Sequence, residues 1–171
     1  MFVVLSIARA AFAQDTGVPE NPGHIELAEW PGEYCADIIG GTVEDGEVLQ
    51  AHTCSSVPSG AITPDQEFTT DTPTVGNIYV TQADFCVAAS RLAAGARLIV
   101  AECSSRDRRQ LWASSADGEI HPASDSSLCW AVEAKPPTAP GGHKRELTLQ
   151  ECSDVNSRYT VWSIPGGSVG S

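Results

Sequence analysis

Three stretches decide the reading of this chain: LQAHTC (Leu49–Cys54), LIVAEC (Leu98–Cys103) and LTLQEC (Leu147–Cys152). Their cysteines are spaced 49 and again 49 residues apart. In each stretch a Leu stands five positions before the cysteine, and Ala51, Val100 or Leu149 stands three before it. That period-2 alternation predicts a half-buried strand running into the cysteine. Upstream of each strand lies one more cysteine, Cys35, Cys86 or Cys129. Downstream comes an aromatic, in Gln66–Phe68, Gln110–Trp112 and Thr160–Trp162. Self-similarity at a fixed period marks a repeat architecture, because one unit of this size cannot bury its apolar face alone. The repeats are predicted at about residues 23–70, 71–117 and 118–165. Between the cysteines of each lie turn-rich inserts, Gly40 to Gly46, Ala94 with Gly95, and Pro136 to Gly142, which predict hairpin connections.

The composition agrees with an all-β chain. Of 171 residues 19% are charged, and 15 Gly and 11 Pro are spread throughout, which suits short strands and turns better than long helices. The formal net charge of −12 repels phosphate backbones and anionic membranes, so no nucleic-acid partner is expected. Arg106, Arg108 and Arg109 form a small basic knot around Asp107, read as a solvated loop with local ion pairs.

Residues 1–13, MFVVLSIARAAFA, are apolar and end in the small-x-small pattern Ala11-Phe12-Ala13, which predicts a signal peptide cleaved before Gln14. The stretch is too short to span a bilayer, so no membrane span is expected in the mature chain. Arg9 interrupts the run, and the alternative is a retained apolar helix. Residues 14–22 read as a linker and 166–171 as a flexible tail. Intact-mass analysis of secreted protein should find a chain starting near Gln14; a species keeping Met1 would favour the retained helix.

The six cysteines are 35, 54, 86, 103, 129 and 152. They form no Cys-x-x-Cys, and His24, His52, His121 and His143 stand at no metal-binding spacing, so neither a metal nor a cofactor is expected. An even count behind a signal-like segment favours disulfides and a secreted location, extracellular or periplasmic. Six cysteines allow about fifteen pairings. The simplest joins the two within each repeat: Cys35 to Cys54, Cys86 to Cys103 and Cys129 to Cys152. Each bridge would add roughly 3 kcal/mol by restricting the unfolded chain. No Gly-x-Ser-x-Gly elbow or phosphate-binding glycine loop is present, and Glu44, Asp45 and Glu47 sit in a Gly-flanked turn where solvated charges are the ordinary reading. No enzyme is expected.

The ordered set of Cys, Leu-x-aliphatic-x-x-Cys and Gln-x-Trp, three times over about residues 23–165, resembles the ricin B-type β-trefoil lectins. The resemblance implies a six-stranded barrel capped by three hairpins, with Phe68, Trp112 and Trp162 as core anchors. It also implies up to one sugar pocket per repeat. In the family that pocket takes an Asp two residues after the first cysteine, a residue four before and an aromatic two before the second, and polar groups at Gln-x-Trp. The first repeat offers Asp37, Gln50, His52, Asp65 and Gln66; His52 is a smaller stacking platform than Trp, and Asp65 replaces Asn. The second repeat has Ala88 and Ala101 at key positions, and the third has Ala131, Gln150 and Thr160, so both are read as lacking a site. Asp37 could instead cap a turn and Gln66 could simply serve the fold. The implied function is a carbohydrate-binding, non-catalytic module with a galactose-type site at most in the first repeat, its partner a glycan or glycoprotein. The alternative is a structural or adaptor subunit of an extracellular assembly, including a toxin's cell-binding subunit, docked on a protein partner with decayed sugar sites.

Overall fold

The computed structural model describes residues 22–56, 59–70, 75–81, 84–134 and 144–165. The proposed signal peptide, all but the last residue of the linker, and the C-terminal tail lie outside the described residues. The first repeat contributes β1 (Glu26–Leu27), β2 (Cys35–Ile38), β3 (Leu49–His52) and β4 (Phe68–Thr70). The second contributes β5 (Val75–Gly76), β6 (Ile78–Val80), β7 (Phe85–Ala89), β8 (Leu98–Glu102) and β9 (Trp112–Ser114). The third contributes β10 (Ile120–Pro122), β11 (Leu128–Val132), β12 (Arg145–Glu151) and β13 (Trp162–Ser163).

Pairing between repeats closes a barrel. β4 pairs with β6, β9 with β10, and β13 with β1, all antiparallel. Within repeats the ring is completed by the Gly23–Phe68 bridge, by β5 with β9, and by the Glu119–Val161 bridge. The barrel thus has no free edge to invite aggregation. The hairpins β2–β3, β7–β8 and β11–β12 cap one end. Their second strands, the three stretches quoted above, meet one another through Glu146–Gln50, Val48–Ile99 and Arg97–Thr148. This is a β-trefoil.

The core explains why three copies are needed. Phe68, Trp112 and Trp162 are buried as expected, with Leu27, Leu49, Leu98, Leu147 and Leu149 around them. The alternating residues of β3, β8 and β12 supply one apolar row from each repeat, and no row is covered until the other two are present. Trp130, which the repeat pattern does not flag, sits fully buried between Trp112 and Trp162, edge-on to both at centroid distances of 5.2 and 6.2 Å. The Gln-x-Trp indoles serve as ties as well as filling. Trp112 Nε1 donates to the carbonyl of Val87 at 2.8 Å, and Trp162 Nε1 donates to that of Trp130 at 3.2 Å. Each acceptor is the residue after the first cysteine of its repeat.

The glutamine of the motif has its own structural task. Gln66 accepts from Ser55 N at 2.8 Å and donates to Thr53 O at 3.0 Å, clamping the backbone on either side of Cys54. Gln110 does the same around Cys103, through Ser104 N at 2.7 Å and Glu102 O at 2.8 Å. The bridges Cys35–Cys54 and Cys86–Cys103 are formed. The third expected bridge is not: Cys129 and Cys152 are free thiols, though their sulfurs and a Glu119 oxygen lie within 4.8 Å of one another. The clamp differs at this point. Thr160 replaces the glutamine, and among the described residues its hydroxyl reaches Glu119 and Ser157 O rather than the backbone beside Cys152, while Cys152 opens a 3₁₀ turn over Cys152–Asp154. Peptide mapping without reduction should therefore recover 35–54 and 86–103 and no bridge between repeats. Thiol counting on the denatured chain should find two; a count of zero would show that the third pair closes despite the missing clamp.

Candidate functional site

In the first repeat the hairpin register brings the expected residues together. Asp37 stands opposite Gln50, and Cys35 opposite His52. Side chains two apart on a strand share a face, so Asp37, Gln50 and His52 project from the same side of the hairpin. Gln50 Nε2 donates to Asp37 Oδ1 at 2.5 Å, and Gln66 Nε2 donates to Asp37 Oδ2 at 2.9 Å. Asp37 is therefore no turn cap; two amides fix its plane. Its residual exposure is 5%. A carboxylate offers about four acceptor positions, and these two bonds fill one on each oxygen. His52 is half-buried at the end of β3. Asp65 lies in the first turn of a 3₁₀ segment, Pro64–Gln66, beside the hairpin loop. It lies against Gly41, whose φ of 72° favours glycine, and a Cβ there would stand at ordinary contact distance, 3.5 Å, from Asp65 Oδ2.

Gln66 carries a double role: it makes the same backbone clamp as Gln110 and, in addition, holds Asp37. In the second repeat Ala88 is buried and offers no polar group. The third repeat differs from its sequence reading in shape. A cavity of about 460 Å³ opens there, walled by Ala131, Thr148, Gln150, Asp154, Asn156 and Tyr159 among others. It lacks a carboxylate at position 131, but it has an aromatic wall and amide groups. Tyr159, directly ahead of Thr160, was the sequence signal for it.

Beside this cavity, Arg145 is caged by rings. Its guanidinium lies 4.7 Å from the centroid of Tyr34, 5.9 Å from Trp30 and 6.0 Å from Tyr159, and its Nε donates to the Tyr34 hydroxyl at 3.1 Å. The basic knot behaves as read from sequence: Asp107 caps the turn at Arg109 N and pairs with the Arg109 guanidinium at 2.6 Å, which holds the Asp107 carboxyl below its usual range.

Among the described residues, two groups of side chains have metal-ligand chemistry. His24 lies near Cys35 and Cys54, whose sulfurs are consumed by their disulfide. Glu119 lies near Cys129 and Cys152. Burial pushes both of those thiols up in pKa, away from the thiolate that a metal requires. Among the described residues no helix is long and apolar enough to cross a membrane.

A family model described as "Ricin-type beta-trefoil lectin domain" matches residues 74–169, more than half of the chain. No curated protein matches in sequence. Among solved structures, the C-half of the earthworm R-type lectin in complex with GalNAc is similar with a TM-score of 0.63 at 16% identity, covering 85% of this chain and 98% of that one. A cytolethal distending toxin structure from Actinobacillus actinomycetemcomitans gives 0.61 at 14% identity, covering 90% of this chain and 95% of that one. The β-trefoil lectin of the Vibrio vulnificus hemolysin/cytolysin, with N-acetyl-D-lactosamine bound, gives 0.59 at 13%, covering 88% and 98%. At these identities the likeness is one of fold.

Proposed function

Because the chain belongs to the ricin-type β-trefoil lectin domain family, we propose that it is a secreted, non-catalytic carbohydrate-binding module with a galactose-type site in its first repeat. The observation that carries this reading is the fixed Asp37 carboxylate. Gln50 and Gln66 orient it while leaving one acceptor position on each oxygen, the arrangement that two neighbouring sugar hydroxyls require. His52 supplies a ring for the sugar's C–H face, and Asp65 a further acceptor at the rim. The two formed disulfides and the apolar N-terminal stretch support secretion.

The adaptor reading draws on a different observation: Asp37 has no counterpart at Ala88 or Ala131, so two repeats of three carry no site of this type. The folds of two cytolethal distending toxin structures resemble this one, which fits a toxin-subunit version of that reading. Titration of the labelled protein with galactose and lactose, followed by NMR, separates the two. The module should respond near millimolar concentration, about 4 kcal/mol, with shifts centred on Asp37, His52 and Gln66. Silence there and across a broad glycan array would leave the adaptor.

A further inference from the structure

We propose that a second site, on the hairpin cap, binds the anionic group of an acidic saccharide, a sugar bearing a carboxylate or a sulfate. A cavity of about 330 Å³ lies where the start of β12 meets β3 and the residue just ahead of β8. Arg97, Lys144 and Arg145 all line it, against one carboxylate, Glu146. The whole chain has 10 Lys and Arg against 22 Asp and Glu, so three cations at one cavity is a marked local reversal of charge. They arrive from separate places: Arg97 from the second repeat, Lys144 and Arg145 from the third.

Among the described residues Arg106 and Arg108 are also exposed, but they share one loop with Asp107 and line no cavity with an apolar wall, and three further cations have partners. Arg109 pairs with Asp107, Arg158 with Glu29, and Arg91 donates to the carbonyl of Ala94. Among the described residues, the side chains of Arg97 and Lys144 have no ion pair or hydrogen bond, and both residues are exposed. The ring cage holds Arg145 in position without cancelling its charge. At physiological salt the charges of the acidic surface beyond about 8 Å are largely screened, so an anion at the cavity is governed by its near neighbours.

The rest of the wall suits a sugar better than a bare ion. Ile39, 40% exposed and the one large hydrophobic side chain exposed to that degree among the described residues, lines the cavity with Val48 and Leu49, an apolar face for ring C–H groups. Gln50 also lines it, and the amide of Gln50 donates to Asp37, so the cavity adjoins the first-repeat carboxylate. The inference rests on the carbohydrate-binding reading only in taking a sugar as the carrier of the anion.

The test compares galactose, galacturonic acid, galactose 6-sulfate and inorganic sulfate by NMR titration of the whole chain, beside the Arg97→Gln/Lys144→Gln double variant. At least one charged sugar should bind roughly tenfold or more tighter than galactose, the size of a charge-assisted hydrogen bond. Shifts should centre on Arg97, Lys144 and Arg145, added salt should weaken the preference, and the double variant should lose it. The two acids then tell carboxylate from sulfate. Equal binding of all three sugars overturns the inference, as does a preference that survives in the double variant or sulfate alone binding as tightly as its sugar ester. Galactose silent while an acidic sugar binds through Arg97 and Lys144 would overturn the first-repeat site and leave this one standing. No response to any of the four overturns both.

Discussion

Replacing Trp162 by Ala should cost about 3–5 kcal/mol of folding stability, the usual result of emptying a buried aromatic site. The indole is almost wholly buried, lies edge-on to Trp130, and ties β13 to β11 through the Trp130 carbonyl. It also sits at the seam that closes the barrel, opposite Leu27 of the first repeat. Gly118 packs so close that a Cβ there would stand 3.0 Å from the Trp162 carbonyl, so the surrounding backbone is already in contact and has little room to collapse inward. In urea the midpoint should fall with an unchanged slope. Trp112→Ala and Phe68→Ala should behave alike, since each fills the equivalent place in its repeat. A loss under about 1 kcal/mol at any of them would be the cost of a surface substitution and would remove that residue from the core. Trp162→Phe and Trp130→Phe separate packing from hydrogen bonding. Among the described residues Trp130 Nε1 is buried with no partner, whereas Trp162 Nε1 has one. The change at 162 should therefore be the costlier by about 1 kcal/mol.

The barrel and its anchors were legible because they follow from local periodicity repeated at a fixed distance. Strand alternation before Cys54, Cys103 and Cys152 names the second strand of each hairpin, and the aromatic that follows names the plug. Trp130 was not legible: its place is held by Ala36 in the first repeat and Val87 in the second, and only the folded barrel shows that one large ring there fills the space between two others. The Asp37 cluster was legible for the same reason as the fold. Asp37, Gln50 and His52 sit at even offsets from the cysteines, and an antiparallel register turns even offsets into one shared face, whereas Asp65 and Gln66 reach it from the 3₁₀ segment that follows. The third disulfide, expected from the same spacing as the other two, is not formed, and it is the one in the repeat where Thr160 stands in place of the clamping glutamine. The cationic cavity could not be read at all. Arg97 and Lys144 are 47 positions apart in the chain and meet only because the hairpins converge on the threefold axis.

Asp37→Ala should abolish measurable sugar binding while leaving the protein folded. A galactose-type site holding its ligand near millimolar has about 4 kcal/mol in total, and a carboxylate accepting from two hydroxyls supplies on the order of 2–3 kcal/mol of it. What remains corresponds to dissociation constants in the tens of millimolar or weaker, beyond practical titration. The substitution has a second effect that must be measured beside the first. Gln50 and Gln66 both donate to this carboxylate in a buried setting. Gln66 keeps Thr53 O as a partner, but the Gln50 amide is left unsatisfied, at a cost of about 1–3 kcal/mol of stability. Asp37→Asn is the sharper control. It preserves shape, yet one of its two terminal atoms becomes a donor facing a glutamine that also donates, so the pair must turn an amide over to relieve the clash. Binding should be lost in both variants, and thermal melting should show both still folded at the temperature of the titration. Adding a carboxylate elsewhere should not compensate: Ala88→Asp lacks the counterparts of His52 and Gln50, whose places Ala101 and Ile99 take, and puts a charge in a fully buried position. Galactose shifts that persist in Asp37→Ala would move the site away from the first repeat, and the cavity walled by Gln150, Asn156 and Tyr159 would be the place to look next.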